Sequence, residues 1–105
     1  MAADKARALI EGRYTQPISV GMIARQIGVT PEYLATAFRQ KFGVSPHDYL
    51  VQLRLERASA LLKAGVPVKE VCYSVGYRNP NYFTTLFSKK EGVTPSSLHK
   101  QARSF

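Results

Sequence analysis

Apolar residues return along this chain with the three-to-four-residue period of an α-helix, in stretches cut by glycine or by a Ser, Thr or Asn followed by proline. Val20, Ile23, Ala24 and Ile27 form one helical stripe, and Ser19 stands ahead of them as an N-cap. Gly28 follows where a helix ends in the left-handed backbone region, which glycine enters without a side-chain penalty. Thr30-Pro31 opens the next helix: the hydroxyl caps free N–H groups, and proline occupies a position where its missing N–H does no harm. Leu34, Ala37, Phe38 and Phe42 make that helix's inner face, and Gly43 closes it. Two short helices around a tight turn are a helix-turn-helix unit.

The unit occurs twice. Residues 20–46 recur as residues 68–95, with one residue gained in the second copy. Gly28 matches Gly76, Tyr33 matches Tyr82, Phe38 matches Phe87, and Gly43-Val44 matches Gly92-Val93. In the second copy Val68, Val71, Cys72 and Val75 make the first stripe, and Tyr82, Phe83, Leu86 and Phe87 the second. Between the copies, Ser45-Pro46-His47-Asp48 reads as a capped start with a capping-box carboxylate, and apolar residues continue to Leu62. This connecting helix carries a narrow polar stripe of Gln52, Glu56, Ser59 and Lys63. Its apolar face is wide, so it needs neighbours on more than one side. From Pro46 to Lys63 it is about 27 Å long, a span that holds two reading units close to one DNA turn apart. Asp4 to Tyr14 reads as a further helix at the start. The expected fold is all-α, with two helix-turn-helix subdomains at 1–45 and 65–105 joined by a connecting helix at 46–64, the whole forming a single domain.

Charge adds a partner to this fold. Fifteen Lys and Arg against seven Asp and Glu give a net charge of +8 in 105 residues, and a surface of that sign suits a polyanion. A membrane surface would suit the charge too, but no run of about 18 apolar residues is present and no signal-peptide segment follows Met1. A single cysteine rules out an internal disulfide framework and fits a reducing compartment, with the cytoplasm as the default. Enzyme chemistry has little to work with. Cys72 lies on the apolar stripe at the repeat position matching Ala24 and reads as core. His47 and His99 have no second ligand three or four residues away, so both read as surface residues, and neither a metal nor a cofactor is expected. The six tyrosines could form a stacking platform for single-stranded RNA, yet several fall at interior positions of the repeats and read as core.

These residues together resemble the DNA-binding domain of the AraC/XylS family of transcriptional regulators, over nearly the whole chain. The resemblance rests on Ile23-Ala24, Gly28-Val29, Tyr33-Leu34 with Phe38, Phe42-Gly43-Val44-Ser45-Pro46, and Arg54-Leu55-Glu56-Arg57-Ala58 with Leu61-Leu62. Its most specific part is Val71-Cys72-Tyr73-Ser74-Val75-Gly76-Tyr77, then Asn81-Tyr82-Phe83, Phe87 and Gly92-Val93-Thr94-Pro95. Cys72, Tyr77, Ser88 and Leu98-His99 depart from the family's usual Ala, Phe, Lys and Tyr-Arg, which puts a phosphate contact at Ser88 in doubt. The resemblance implies seven helices, with recognition helices at 31–42 and 79–91 entering successive major-groove faces of double-stranded DNA. It also implies transcriptional activation through RNA polymerase, and in many members a separate sensing or dimerising domain. No residue here displays either. The chain is expected to be a stand-alone regulator or one domain of a longer one.

Helical spacing nominates the readers of base edges: Glu32, Ala35, Thr36 and Arg39 in the first unit, and Pro80, Asn81, Thr84 and Thr85 in the second. Asn is suited to adenine, Glu to the cytosine amino group, Arg to guanine and the Thr methyls to thymine, whereas Ala35 and Pro80 act by shape. Lys41, Arg78, Lys89 and Lys90, with Arg39 beside them, are the expected phosphate contacts. Arg54 and Arg57 read as structural, pairing with a carboxylate such as Glu70 or Glu56. A protein-interaction module or a basic RNA-binding domain built on the same helices remains the alternative.

Overall fold

The computed structural model describes residues 1–103. Seven helices account for about three-quarters of them: α1 (Ala2–Arg13), α2 (Val20–Ile27), α3 (Pro31–Phe42), α4 (Pro46–Lys63), α5 (Val68–Ser74), α6 (Pro80–Glu91) and α7 (Pro95–Arg103). No strand occurs among the described residues. The chain divides into two compact units, Met1–Leu53 and Arg54–Phe105, and the boundary falls within α4, so the connecting helix lends its first turns to one core and the rest to the other.

Helix starts follow the side chains that cap them. The Ser19 Oγ accepts from the Met22 N–H at 3.2 Å, the Thr30 Oγ1 from Tyr33 at 3.1 Å and the Ser45 Oγ from Asp48 at 3.1 Å. Asn79 caps α6 twice, its Oδ1 accepting from Asn81 at 2.9 Å and from Tyr82 at 3.1 Å. The predicted start of the second recognition helix at Asn79 is therefore its N-cap, one residue outside the helix proper. The two helix-turn-helix repeats differ at their first helix: Pro67 stands at the cap of α5 and supplies no side-chain bond, whereas Ser19 does so for α2.

In the N-terminal unit Ile23 and Ala24 of α2, Leu34 and Phe38 of α3, Ala3, Ala6 and Ile10 of α1, and Leu50 and Leu53 of α4 form one buried cluster. Burying a side chain such as Phe38 or Leu34 contributes roughly 1.5–3 kcal/mol, which is what holds the amphipathic helices in place. In the C-terminal unit Leu55, Ala58 and Leu62 are buried, as are Val71, Cys72 and Val75, and Phe83 and Phe87 of α6. Cys72 is fully buried like Ala24, its repeat partner, and its Sγ–H donates to the Tyr77 carbonyl at 3.6 Å.

Three side chains sit elsewhere than the apolar pattern predicts. Tyr33, Tyr73 and Tyr82 are 59%, 48% and 57% exposed: on the recognition helices Leu34 with Phe38, and Phe83 with Phe87, fill the core and leave Tyr33 and Tyr82 outside, and on α5 the buried positions are taken by Val71 and Cys72. Tyr82 thus leaves the inner face of α6. His99, expected at the surface, is half-buried: its Nε2–H donates to the Gly65 carbonyl at 3.2 Å, tying α7 to the turn after α4. His47 is exposed as expected.

Candidate nucleic-acid interface

The turn between α2 and α3 fixes the direction of the first recognition helix. Gly28 has φ +90°, and its N–H donates to the Ala24 and Arg25 carbonyls while the Val29 N–H donates to Ala24. These bonds satisfy the last carbonyls of α2 and reverse the chain within three residues. The same geometry returns at Gly76, with φ +102°, where the Tyr77 N–H donates to the Cys72 carbonyl. One extra residue, Arg78, then precedes the Asn79 cap.

Glu32, Ala35, Thr36 and Arg39 fall within an arc of about 100° on α3, at 100° per residue. Glu32, Thr36 and Arg39 are exposed and Ala35 is half-buried. On α6, Asn81 and Thr85 are exposed, and Pro80 and Thr84 are half-buried in the matching register. The structure therefore brings each set of predicted readers onto one side of its helix. Ser88 joins the second set, since it is half-buried and holds the position that Arg39 holds in α3. The first face carries one anion and one cation, and the second carries neither.

The expected phosphate contacts separate in the structure. Arg78, Lys89 and Lys90 are exposed at the ends of α6. Lys89 lies about 80° around the helix from Asn81, and Lys90 about 180°. Lys41 is likewise about 180° from Glu32, and it is occupied: its Nζ lies 2.6 Å from Asp4 Oδ2 of α1 and 5.9 Å from the Phe42 ring centroid. The hydrogen bond from Lys41, aided by the terminal ammonium of Met1, lowers the Asp4 carboxyl to about 2. Both side chains are about half exposed, so the pair contributes little to stability. Arg7 continues this strip, 5.1 Å over Phe42 and 3.4 Å from Glu11, and the Tyr49 hydroxyl donates to Glu11 at 2.7 Å.

Arg54 is structural. It is only 8% exposed, and its guanidinium lies 5.2 Å from the Tyr77 ring centroid, so the contact that identifies its role is a stacked aromatic ring. Burial pushes the Tyr77 phenol above its usual range, with the Arg54 charge opposing. The same ring lies 6.0 Å from Tyr82 and 5.7 Å from Phe83, which links Arg54 to the start of α6. Burial also raises the Cys72 thiol, as suits a packed side chain. Among the described residues no three His, Cys, Asp or Glu side chains are placed to hold a metal, and no helix is long and apolar enough to cross a membrane.

Sequence reasoning missed the exposure of Tyr33 and Tyr82. Both are third residues of their recognition helices, about 100° from Glu32 and Asn81, a register that already places them beside the reading face.

Residues 23–101 match a family described as "Helix-turn-helix domain". The Escherichia coli regulator YijO, described as an uncharacterised helix-turn-helix-type transcriptional regulator, is 33% identical over 96% of this chain, which spans 36% of YijO's length. The C-terminal domain of the two-component response regulator yesN from Fusobacterium nucleatum superposes with a TM-score of 0.88 at 30% identity, covering 93% of this chain and 97% of that one. A transcriptional regulator of the AraC-type DNA-binding class from Chromobacterium violaceum gives 0.81 at 26% identity, covering 96% and 91%. The paired turns, the capped recognition helices and these matches agree: the chain belongs to the helix-turn-helix family that includes the AraC-type DNA-binding domains.

Proposed function

We propose that this domain binds double-stranded DNA sequence-specifically, as the DNA-reading part of a cytoplasmic transcription regulator. The observation that carries the reading is the repeat itself: two capped helices, α3 and α6, each preceded by a left-handed glycine turn and each presenting a polar face in matching register. A helix entering the major groove with its first turns against base edges needs such a face and such a turn.

Asn81 reads adenine through two bonds, Glu32 accepts from a cytosine amino group, Arg39 forks onto guanine, and Thr36, Thr84 and Thr85 meet thymine methyls, with Ala35 and Pro80 fitting by shape. Arg78, Lys89 and Lys90 contact phosphates, and Lys41 does so by exchanging Asp4 for the DNA backbone. Because the two faces differ, the site read is asymmetric. RNA polymerase and a sensing or dimerising domain are the further partners in this reading, and activation of transcription is the outcome.

The test is a panel of duplexes carrying single base-pair changes in a site selected from random sequence. Asn81→Ala relaxes the preference at one adenine by about 1–3 kcal/mol, whereas Lys90→Ala weakens all duplexes alike. Uniform losses for both variants, or selection that returns only palindromes, contradict the assignment.

A further inference from the structure

The net charge is not shared evenly between the units. Six of the 15 Lys and Arg and four of the seven Asp and Glu lie in Met1–Leu53, and the remaining nine and three lie in Arg54–Phe105. The +8 therefore divides into +2 and +6. Side-chain bonding widens the contrast. In the N-terminal unit Lys41 is held by Asp4, Arg7 pairs with Glu11, and Arg13 donates to Gln26 at 2.9 Å. Lys90 is the repeat twin of Lys41, and Arg78, Lys89 and Lys90 are exposed without an ion pair among the described residues. Repeat-equivalent lysines thus start differently: one reaches an anion only by giving up a carboxylate of α1, and the other has no such partner among the described residues.

The reading faces divide along the same line. Glu32 and Arg39 give the α3 face no net charge, so phosphate attraction does not arise there, while the α6 face is uncharged and framed by Arg78 and Lys89. We infer that the two units do different work on DNA: the C-terminal unit is the electrostatic anchor that grips the backbone, and the N-terminal unit contributes chiefly through base edges. This inference rests on the proposed function and assigns a role to each half of the site.

Counterion release makes the division measurable, because each phosphate neutralised adds about 0.9 to the slope of log affinity against log salt on duplex DNA. Two triple variants remove the same three charges. Arg78→Gln/Lys89→Gln/Lys90→Gln takes three of the nine cations of the C-terminal unit, and Arg7→Gln/Arg25→Gln/Lys41→Gln takes three of the six of the N-terminal one. All six side chains are exposed, and helicity by circular dichroism confirms that each variant folds. Fluorescence anisotropy on one mixed-sequence duplex from about 50 to 200 mM salt reads the slope. The C-terminal triple is expected to flatten it by about 2 to 3, and the N-terminal triple by about 1 at most. Equal flattening, or greater flattening by the N-terminal triple, overturns the inference while leaving the proposed function standing. An unaltered domain that does not bind the duplex overturns both.

Discussion

Gly12 and Gly28 lie in the same unit and have open space where a Cβ would go, yet the same substitution by alanine should move stability in opposite directions. Gly12 is inside α1, in ordinary helical backbone, so alanine removes the conformational freedom glycine loses on folding and gains roughly 0.5–1 kcal/mol. Gly28 holds φ +90°, a region that costs an L side chain roughly 1–2 kcal/mol. Part of that is offset because alanine also narrows the unfolded ensemble, by about 0.4–1 kcal/mol, leaving a net loss of about 1 kcal/mol. No steric clash contributes at either site, so the difference isolates the backbone angle. Urea unfolding followed by circular dichroism is the assay. With a slope of about 1.5 kcal/mol per molar, the Gly28→Ala midpoint falls by roughly 0.7 M, and the Gly12→Ala midpoint rises by roughly 0.3–0.7 M. A neutral or stabilising Gly28→Ala would refute the account of the turn that aims α3.

Asn79→Ala removes both cap bonds of α6 and should cost about 1 kcal/mol, read as a fall of roughly 4–5 °C in Tm; Asn79→Asp, which keeps the acceptor, should restore most of it. The Asp4 carboxyl, depressed from 3.8 to about 2, adds stability that is fully present above pH 3.8 and is lost as the pH falls through 2. Asp4→Asn should therefore lower stability slightly above pH 4, flatten acid unfolding between pH 4 and 2 and converge with the unaltered domain below pH 2, and an unaltered acid limb would contradict this. Cys72, buried and with its thiol pushed up, should resist iodoacetamide at pH 8 in the folded domain and react readily in urea; rapid labelling of the native protein would show that its packing is wrong.

What could be read from the sequence was what the backbone chemistry dictates. The pairing of a Ser or Thr cap with proline at the first helical position placed the starts of α3 and α4, and the repeated Gly28/Gly76 and Gly43/Gly92 fixed where the recognition units turn and end. The faces of α3 and α6 followed from helical register alone. Side-chain partners between elements far apart in sequence did not follow. Nothing local to Lys41 says that Asp4, 37 residues away, lies beside it, and nothing local to His99 points to the Gly65 carbonyl. Tyr82 was misplaced because its repeat position was counted as apolar, although one face of a 12-residue helix is already filled by Phe83 and Phe87. The chain divides within α4 because Leu50 and Leu53 join the N-terminal cluster, whereas Leu55, Ala58 and Leu62 are buried in the C-terminal unit.

The most direct test of the central claim is fluorescence anisotropy of the domain with a mixed-sequence DNA duplex, an RNA duplex of matched sequence and a DNA single strand, each titrated across salt from about 50 to 200 mM. Preference for the DNA duplex, with affinity falling steeply and log-linearly as salt rises, is the result the paired recognition helices predict. Equal or tighter binding to the single strand or to RNA would shift the interface to the exposed Tyr33, Tyr73 and Tyr82 and contradict a major-groove reader.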